Sequence, residues 1–260
     1  MFRSLYTAAS GMYAQELNMN EISENLANVN TIGYKKGRVN FQDLMYSALQ
    51  EPGAVGPYGG AVQVSSEQGS GVRAASIQKI FTPGQYDHTG NPLDLAIYGN
   101  GFFEVKLPDG KTGFTRDGMI QLNDKGEFLA GGHPLVGVKI PKNVTGLQVE
   151  SSGTIMGYLN NQTKRVKIGQ IQLARFLNPS GLRAQGDVYY DTAVSGPKIT
   201  GTAGENGFGM IKAGYLEKAN VNIIQEMMDI VMAQRAYEFN AKAVSATNNM
   251  LSITTQLQPA

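Results

Sequence analysis

The chain has 260 residues, 42 % apolar and 17 % charged, enough for one large or two small domains and unlike a disordered chain or a membrane protein. Its 22 basic and 21 acidic side chains leave a net charge of +1, too little to hold nucleic acid through its phosphates and a weak barrier to association between copies. There are no cysteines, so disulfides, thiolate metal sites and cysteine nucleophiles are excluded.

Glycine and proline divide the chain in three. Of 32 glycines only Gly11 lies outside Gly33–Gly214, and of ten prolines only Pro259 lies outside Pro52–Pro197. Both residues interrupt helices and mark turns, so the ends are predicted helical and the middle turn-rich and mainly β. The first residues, Met1-Phe2-Arg3-Ser4-Leu5, lack a basic segment leading into an unbroken apolar run, and no cleaved secretory signal is expected. No stretch reaches the ~18 apolar residues that a membrane span needs.

At the N-terminal end Leu5, Met12, Met19 and Leu26 recur every seventh residue. Ala8, Ile22 and Val29 fall three residues after members of that series, and Gln15 is its polar exception. This heptad stripe predicts a helix that faces another helix along its length, with Asn28–Gly33 as its stop. Next come an amphipathic piece, Phe41–Leu49, and a Gly/Pro-rich stretch, Pro52–Gly60. From Val62 onward apolar and polar residues alternate. Leu93, Leu95 and Ile97 form one such run, Phe103, Val105 and Leu107 a second, and Val166, Ile168, Ile171 and Leu173 a third that breaks at Gly169. Turn signals at Pro108-Asp109-Gly110 and Asn123-Asp124-Lys125-Gly126 predict hairpins of an antiparallel β region. The C-terminal end repeats the heptad pattern with Ile223, Ile230, Tyr237, Val244 and Leu251, and Met227 and Ala241 stand four residues after two of them. Asn222 followed by Gln225 reads as a capping box. The expected fold class is α+β, with the N- and C-terminal helices paired as a coiled-coil-like assembly domain flanking a mainly antiparallel β centre. Packing of both helices on one domain core is the alternative. The expected divisions are residues 1–32 with 222–260 as the helical domain, 33–90 with 200–221 as a connecting region, and 91–199 as a β-rich outer domain.

No catalytic or metal-binding set emerges. His88 and His133 each sit in a turn context and belong to no spaced ligand set. Gly99-Asn100-Gly101-Phe102-Phe103 lacks the third glycine of a dinucleotide loop and leads into a strand, so a tight turn before an aromatic pair is expected. The acidic turns at Asp117-Gly118 and Asn123–Glu127 lack calcium-loop spacing. Glu16, Glu21 and Glu24 read as the outer face of the first helix, not as a paired acid and base. No enzyme, cofactor or metal is expected.

Asn25-Leu26-Ala27-Asn28-Val29-Asn30-Thr31-Ile32-Gly33-Tyr34-Lys35 resembles the signature of the bacterial flagellar rod and hook family. Gly99–Phe103 and Phe114-Thr115-Arg116-Asp117-Gly118 resemble its central motifs. Gly214-Tyr215-Leu216-Glu217, Asn220-Val221-Asn222 and Gln234-Arg235-Ala236-Tyr237-Glu238 resemble its C-terminal block. Tyr46–Val62 resembles an insertion typical of the distal members of the rod. The resemblance implies a self-assembling subunit of a straight hollow shaft that transmits torque. Its partners would be copies of itself, proximal rod proteins, the hook, the surrounding P/L rings and the flagellar type III export apparatus, with no nucleic acid and no membrane span. Location in the basal body, from periplasm to outer membrane, and export without a cleaved signal are implied with it. On that reading Leu5, Met12, Met19, Ile22, Leu26, Ile223, Met227, Ile230, Tyr237, Val244 and Leu251 carry subunit contacts. Asn25, Leu26, Ala27, Asn28, Gly33 and Tyr34 form the family motif. Glu51, Pro52, Gly53, Pro57 and Tyr58 lie in a segment that keeps the shaft straight by blocking sliding between neighbours; a flexible surface linker is its alternative. Hook or proximal rod subunits of the same family, and a cell-wall-binding protein of the periplasm, are the competing functions.

Overall fold

The computed structural model describes residues 2–50, 66–141, 143–159 and 164–256. Helix α1 spans Phe2–Ala27 and helix α2 spans Ile223–Gln256, the two regions poor in glycine and proline. Neither is long and apolar enough to cross a membrane. By internal contacts the chain divides into two units. The first comprises Met1–Leu26, Gly37–Gln78 and Ile223–Ala260; the second comprises Ala27–Lys36 and Lys79–Asn222. In the first, the helices are joined by two ribbons, Gly37–Asp43 with Val72–Lys79 and Tyr46–Gln50 with Ser66–Gly69.

The second unit is β structure whose described pairings are all antiparallel. Its largest sheet centres on Phe102–Lys106, which pairs with Thr112–Thr115, His133–Lys139 and Gln172–Arg175. Enclosed in this way, Phe103 and Val105 are fully buried and pack with Phe128, Ile155, Ile171 and Leu173 in the main core. A second cluster is aromatic: Phe102, Phe114, Phe176 and Tyr189 with Phe81 against them, rings meeting edge to face. The hairpin turns at Pro108–Gly110 and Asn123–Gly126 fall where the turn residues place them. At Gly126 φ is +77° and a Cβ would sit 2.0 Å from the Ile140 carbonyl oxygen, so only glycine fits.

Two expectations need correction. The run Val166–Leu173 is irregular beside Gly169, where the pairing register shifts, but it is not a single strand. It forms two strands, Arg165–Gln170 and Gln172–Arg175, in different sheets, and the chain changes sheet at buried Ile171, whose N–H donates to Gly153 O at 2.8 Å. His88 and His133 lie at strand ends, in Tyr86–His88 and His133–Lys139, each beside a turn as expected. Glu21 is buried, whereas Glu16 and Glu24 are exposed as expected of an outer face.

At the heart of the second unit is a buried carboxylate. Glu217 Oε1 accepts from Lys35 Nζ at 2.6 Å and from the Gly84 N–H at 3.0 Å, and Oε2 accepts from Arg116 Nη1 at 3.1 Å. The Glu217 carbonyl also accepts from the Gly33 N–H at 2.8 Å. Lys35 and Arg116 are anchored in turn: Lys35 Nζ donates to Thr82 O at 2.8 Å, and Arg116 Nη2 to Gly99 O at 2.9 Å. The guanidinium lies over the Phe102 ring, 5.3 Å from its centroid. All three charged side chains are at most 4 % exposed. Asn220 extends the knot by accepting from the Lys36 N–H at 2.8 Å and donating to Ile80 O at 2.8 Å and Thr82 O at 3.1 Å. Burial alone would push the Glu217 carboxyl up. Arg116 and Lys35, with the hydrogen bonds at both oxygens, outweigh it and hold the group below the usual carboxylate range. Burial acts in the same sense on the Lys35 ammonium, disfavouring its charge, and Glu217 offsets part of that cost.

Removing one member of such a set leaves an uncompensated buried charge, at a cost of roughly 3–5 kcal/mol. Glu217→Gln is therefore expected to lower the unfolding free energy by about that much in urea titrations at neutral pH. A carboxyl held below its unfolded value contributes stability above the usual carboxylate range and loses it as pH falls through the depressed value. The urea midpoint of the parent chain should thus drop on acidification, and the Glu217→Gln variant should drop less. Gly118→Ala would bring a Cβ to 1.6 Å from the Leu95 carbonyl oxygen, a backbone atom that cannot swing away. It is expected to cost at least about 2 kcal/mol in the same titration.

Candidate assembly surface

The family-motif residues serve the turn that leaves α1. Asn25 binds the Gly37 backbone in both directions, donating from Nδ2 to the carbonyl at 2.9 Å and accepting from the N–H at Oδ1 at 2.8 Å. The same Nδ2 reaches Glu226 Oε2 on α2 at 3.3 Å. Asn28 closes the next turn: its carbonyl accepts from the Thr31 N–H at 3.0 Å and its Oδ1 from the Thr31 hydroxyl at 3.2 Å. Gly33, with φ +70°, lies so near the Arg116 backbone that a Cβ would come within 2.6 Å of its carbonyl carbon. Tyr34 receives Lys79, whose Nζ donates to the phenol oxygen at 3.3 Å. Leu26 is half-buried and Ala27 exposed. The motif is a local architecture of caps and close approaches.

Contacts between the helices fix their direction. A Cβ at Gly11 would lie 3.0 Å from Asn240 Nδ2, and Asn25 touches Glu226. Fourteen residues forward on α1 correspond to fourteen residues backward on α2, so the helices run antiparallel. On α2 the buried residues are Glu226, Ala233 and Thr247, with partly buried Asn240 completing a series of seven-residue steps. On α1 they include Ala8, Ala14, Glu21, Ile22 and Asn25.

The sequence-predicted contact residues divide accordingly. Ile22 is buried; Leu5, Met12, Met19, Leu26, Ile230, Val244 and Leu251 are half-buried; Ile223, Met227 and Tyr237 are exposed. Near Ile223 and Met227 further apolar side chains are exposed. Ile224, Met227, Met228, Val231 and Met232 line one shallow depression on α2, and each is more than half exposed. Exposed apolar patches of this kind mark interaction surfaces. Ile224, Met228, Val231 and Met232 were missed by heptad counting, yet a signal was present. Seven of the ten residues Ile223–Met232 are apolar, more than one buried stripe can hide. Lys35 and Glu217 were read only as members of family motifs. Glu51, Pro52, Gly53, Pro57 and Tyr58 lie outside the described residues.

The surface offers exposed apolar area. Residues 5–35 match the family model of flagella basal body rod proteins, 96–157 the D1 domain of the flagellar hook proteins FlgE/F/G, and 212–257 the C-terminal domain of the flagellar basal body rod FlgEFG proteins. The chain is 42 % identical to the flagellar basal-body rod protein FlgG of Caulobacter vibrioides, covering 98 % of this chain and 99 % of that protein. It is 37 % identical to the Borreliella burgdorferi FlgG over 99 % of each, and 32 % identical to that of Bacillus subtilis over 96 % and 97 %. The flagellar hook protein FlgE of Treponema pallidum is 39 % identical over 54 % of this chain and 29 % of its own. Similar from end to end at these identities, the chain belongs to the FlgG family of flagellar basal-body rod proteins.

Proposed function

We propose that this chain is a structural subunit of the distal part of the flagellar basal-body rod, polymerising with copies of itself into a straight hollow shaft. The shaft transmits torque to the hook and leaves a channel for export along its axis. The observation that carries this reading is the exposed apolar face of α2 in a chain matched along its whole length by rod proteins. Residues 1–32 and 222–260 form the polymerisation domain, with α1 and α2 paired in a coiled-coil-like manner, and copies bury the face from Ile224 to Met232 against one another. Residues 33–90 and 200–221 connect this domain to an outer β domain, 91–199. The partners are proximal rod proteins, the hook, the P/L rings and the type III export apparatus, in the space from periplasm to outer membrane. Glu51–Gly60 wedges against neighbouring subunits and prevents the sliding that would bend the tube. A hook subunit is the second reading, supported by the partial match to a hook protein.

Electron microscopy separates these readings. Concentrated full-length protein should form straight tubes, and a version lacking residues 1–30 and 222–260 should not. Curved tubes from the full-length chain would assign it to the hook; dispersed particles would count against self-assembly. Val231→Glu and Met228→Glu place charge on the exposed face. Each is expected to raise the concentration needed for assembly by at least about tenfold while leaving the urea midpoint nearly unchanged. Deleting residues 51–60 should yield curved or supercoiled tubes, and straight ones would refute the wedge.

A further inference from the structure

A cavity of about 340 Å³ in the second unit has no part in the assembly surface. Phe81, Phe102 and Phe176 contribute aromatic walls, and Leu177 and Ile199, both exposed, stand at its edge. Its polar groups are two guanidinium side chains, Arg116 and Arg175, together with Asn100; no aspartate or glutamate lines it. Arg116 is 4 % exposed, and although both its terminal nitrogens are engaged, its buried Nε has no hydrogen-bond partner. A buried N–H left without an acceptor is costly, and native proteins seldom tolerate it without a reason. Arg175 rests on the face of Phe208, 5.5 Å from the ring centroid, and makes no ion pair among the described residues. Its charge is thus held beside the cavity and is not neutralised by a carboxylate.

We propose that this cavity is a binding site for a protein segment presenting a carboxylate next to an apolar, preferably aromatic, side chain. The aromatic walls suit a ring or branched side chain. Guanidinium groups bind carboxylates through paired N–H donors, and Arg175, with no carboxylate partner among the described residues, can supply them. The volume lies at the low end of ligand pockets, about 300–1,000 Å³, which fits one residue-sized group and not a long chain. Leu177 at the edge gives the neighbouring residue of the segment an apolar contact. The site is independent of the helical ends and adds a second, chemically different contact to the outer β region.

The test uses the full-length chain below its assembly concentration, with N-acetyl-L-phenylalanine as the probe and its uncharged amide as the control, read by saturation-transfer NMR. The acid should bind at millimolar level, and the amide about tenfold more weakly, as expected for loss of a charge-assisted contact. Arg175→Gln should weaken the acid about tenfold and Leu177→Asp should abolish its binding, while neither shifts the urea midpoint appreciably. Arg116 is left untouched because the fold depends on it. No transfer to the acid at about 10 mM, or equal binding of acid and amide, would overturn the proposal. So would an undiminished signal from the Arg175→Gln variant.

Discussion

One buried carboxylate, Glu217, sets a demand that the chain around it must meet. Glu217 has almost no exposure, and a charge so placed is tolerable only if nearly every lone pair is met. Lys35, Arg116 and the Gly84 amide meet them, and the two cations are tied to the carbonyls of Thr82 and Gly99. The close approaches around the knot follow from that demand. Gly33 must bring its N–H to the Glu217 carbonyl while passing the Arg116 backbone, which no side chain would allow. Gly84, whose Cβ would strike the Lys218 carbonyl, presents its amide to the same carboxylate. A knot of this kind need not add net stability over an apolar replacement. What it does enforce is one arrangement of five chain segments, since any slip strands a charge.

The coarse plan was legible in the sequence because it rests on local chemistry. Glycine and proline are confined to the middle, so the helices could only be at the ends, and turn residues at Pro108–Gly110 and Asn123–Gly126 marked hairpins that are present. The knot was not legible. Lys35, Arg116 and Glu217 are separated by scores of residues, and no spacing links them; only their membership in recognisable motifs hinted that they matter. The two helix faces were half legible. Counting apolar residues found Ile230, Val244 and Leu251, but the most buried line on α2 is Glu226, Ala233, Asn240 and Thr247. Its members are polar or small, so a search for hydrophobic periodicity passes over them.

That substitution of small and polar residues for apolar ones has a physical logic. Where α1 and α2 meet, at Gly11 with Asn240 and at Asn25 with Glu226, the side chains are small or polar. The large apolar residues of α2 are then left facing outward, from Ile224 to Met232. Methionine suits such a surface, because its flexible, polarisable side chain adapts to partners of differing shape. Subunits in a family whose members meet both their own kind and other rod or hook proteins would benefit from that tolerance.

The long-range closure of the knot also has a consequence in time. Lys35 and Glu217 are 182 positions apart, and Asn25 and Glu226 are 201 apart. Contacts at such separations are entropically slow to form and cannot form at all until the distant partner is present. A chain emerging from its amino end, whether from a ribosome or through a narrow conduit, therefore holds Lys35, Gly33 and Asn25 in waiting until nearly the whole polypeptide has followed. The β unit locks only when residue 217 arrives, and α1 meets its partner helix later still. Premature locking of a partly delivered chain is prevented by topology alone.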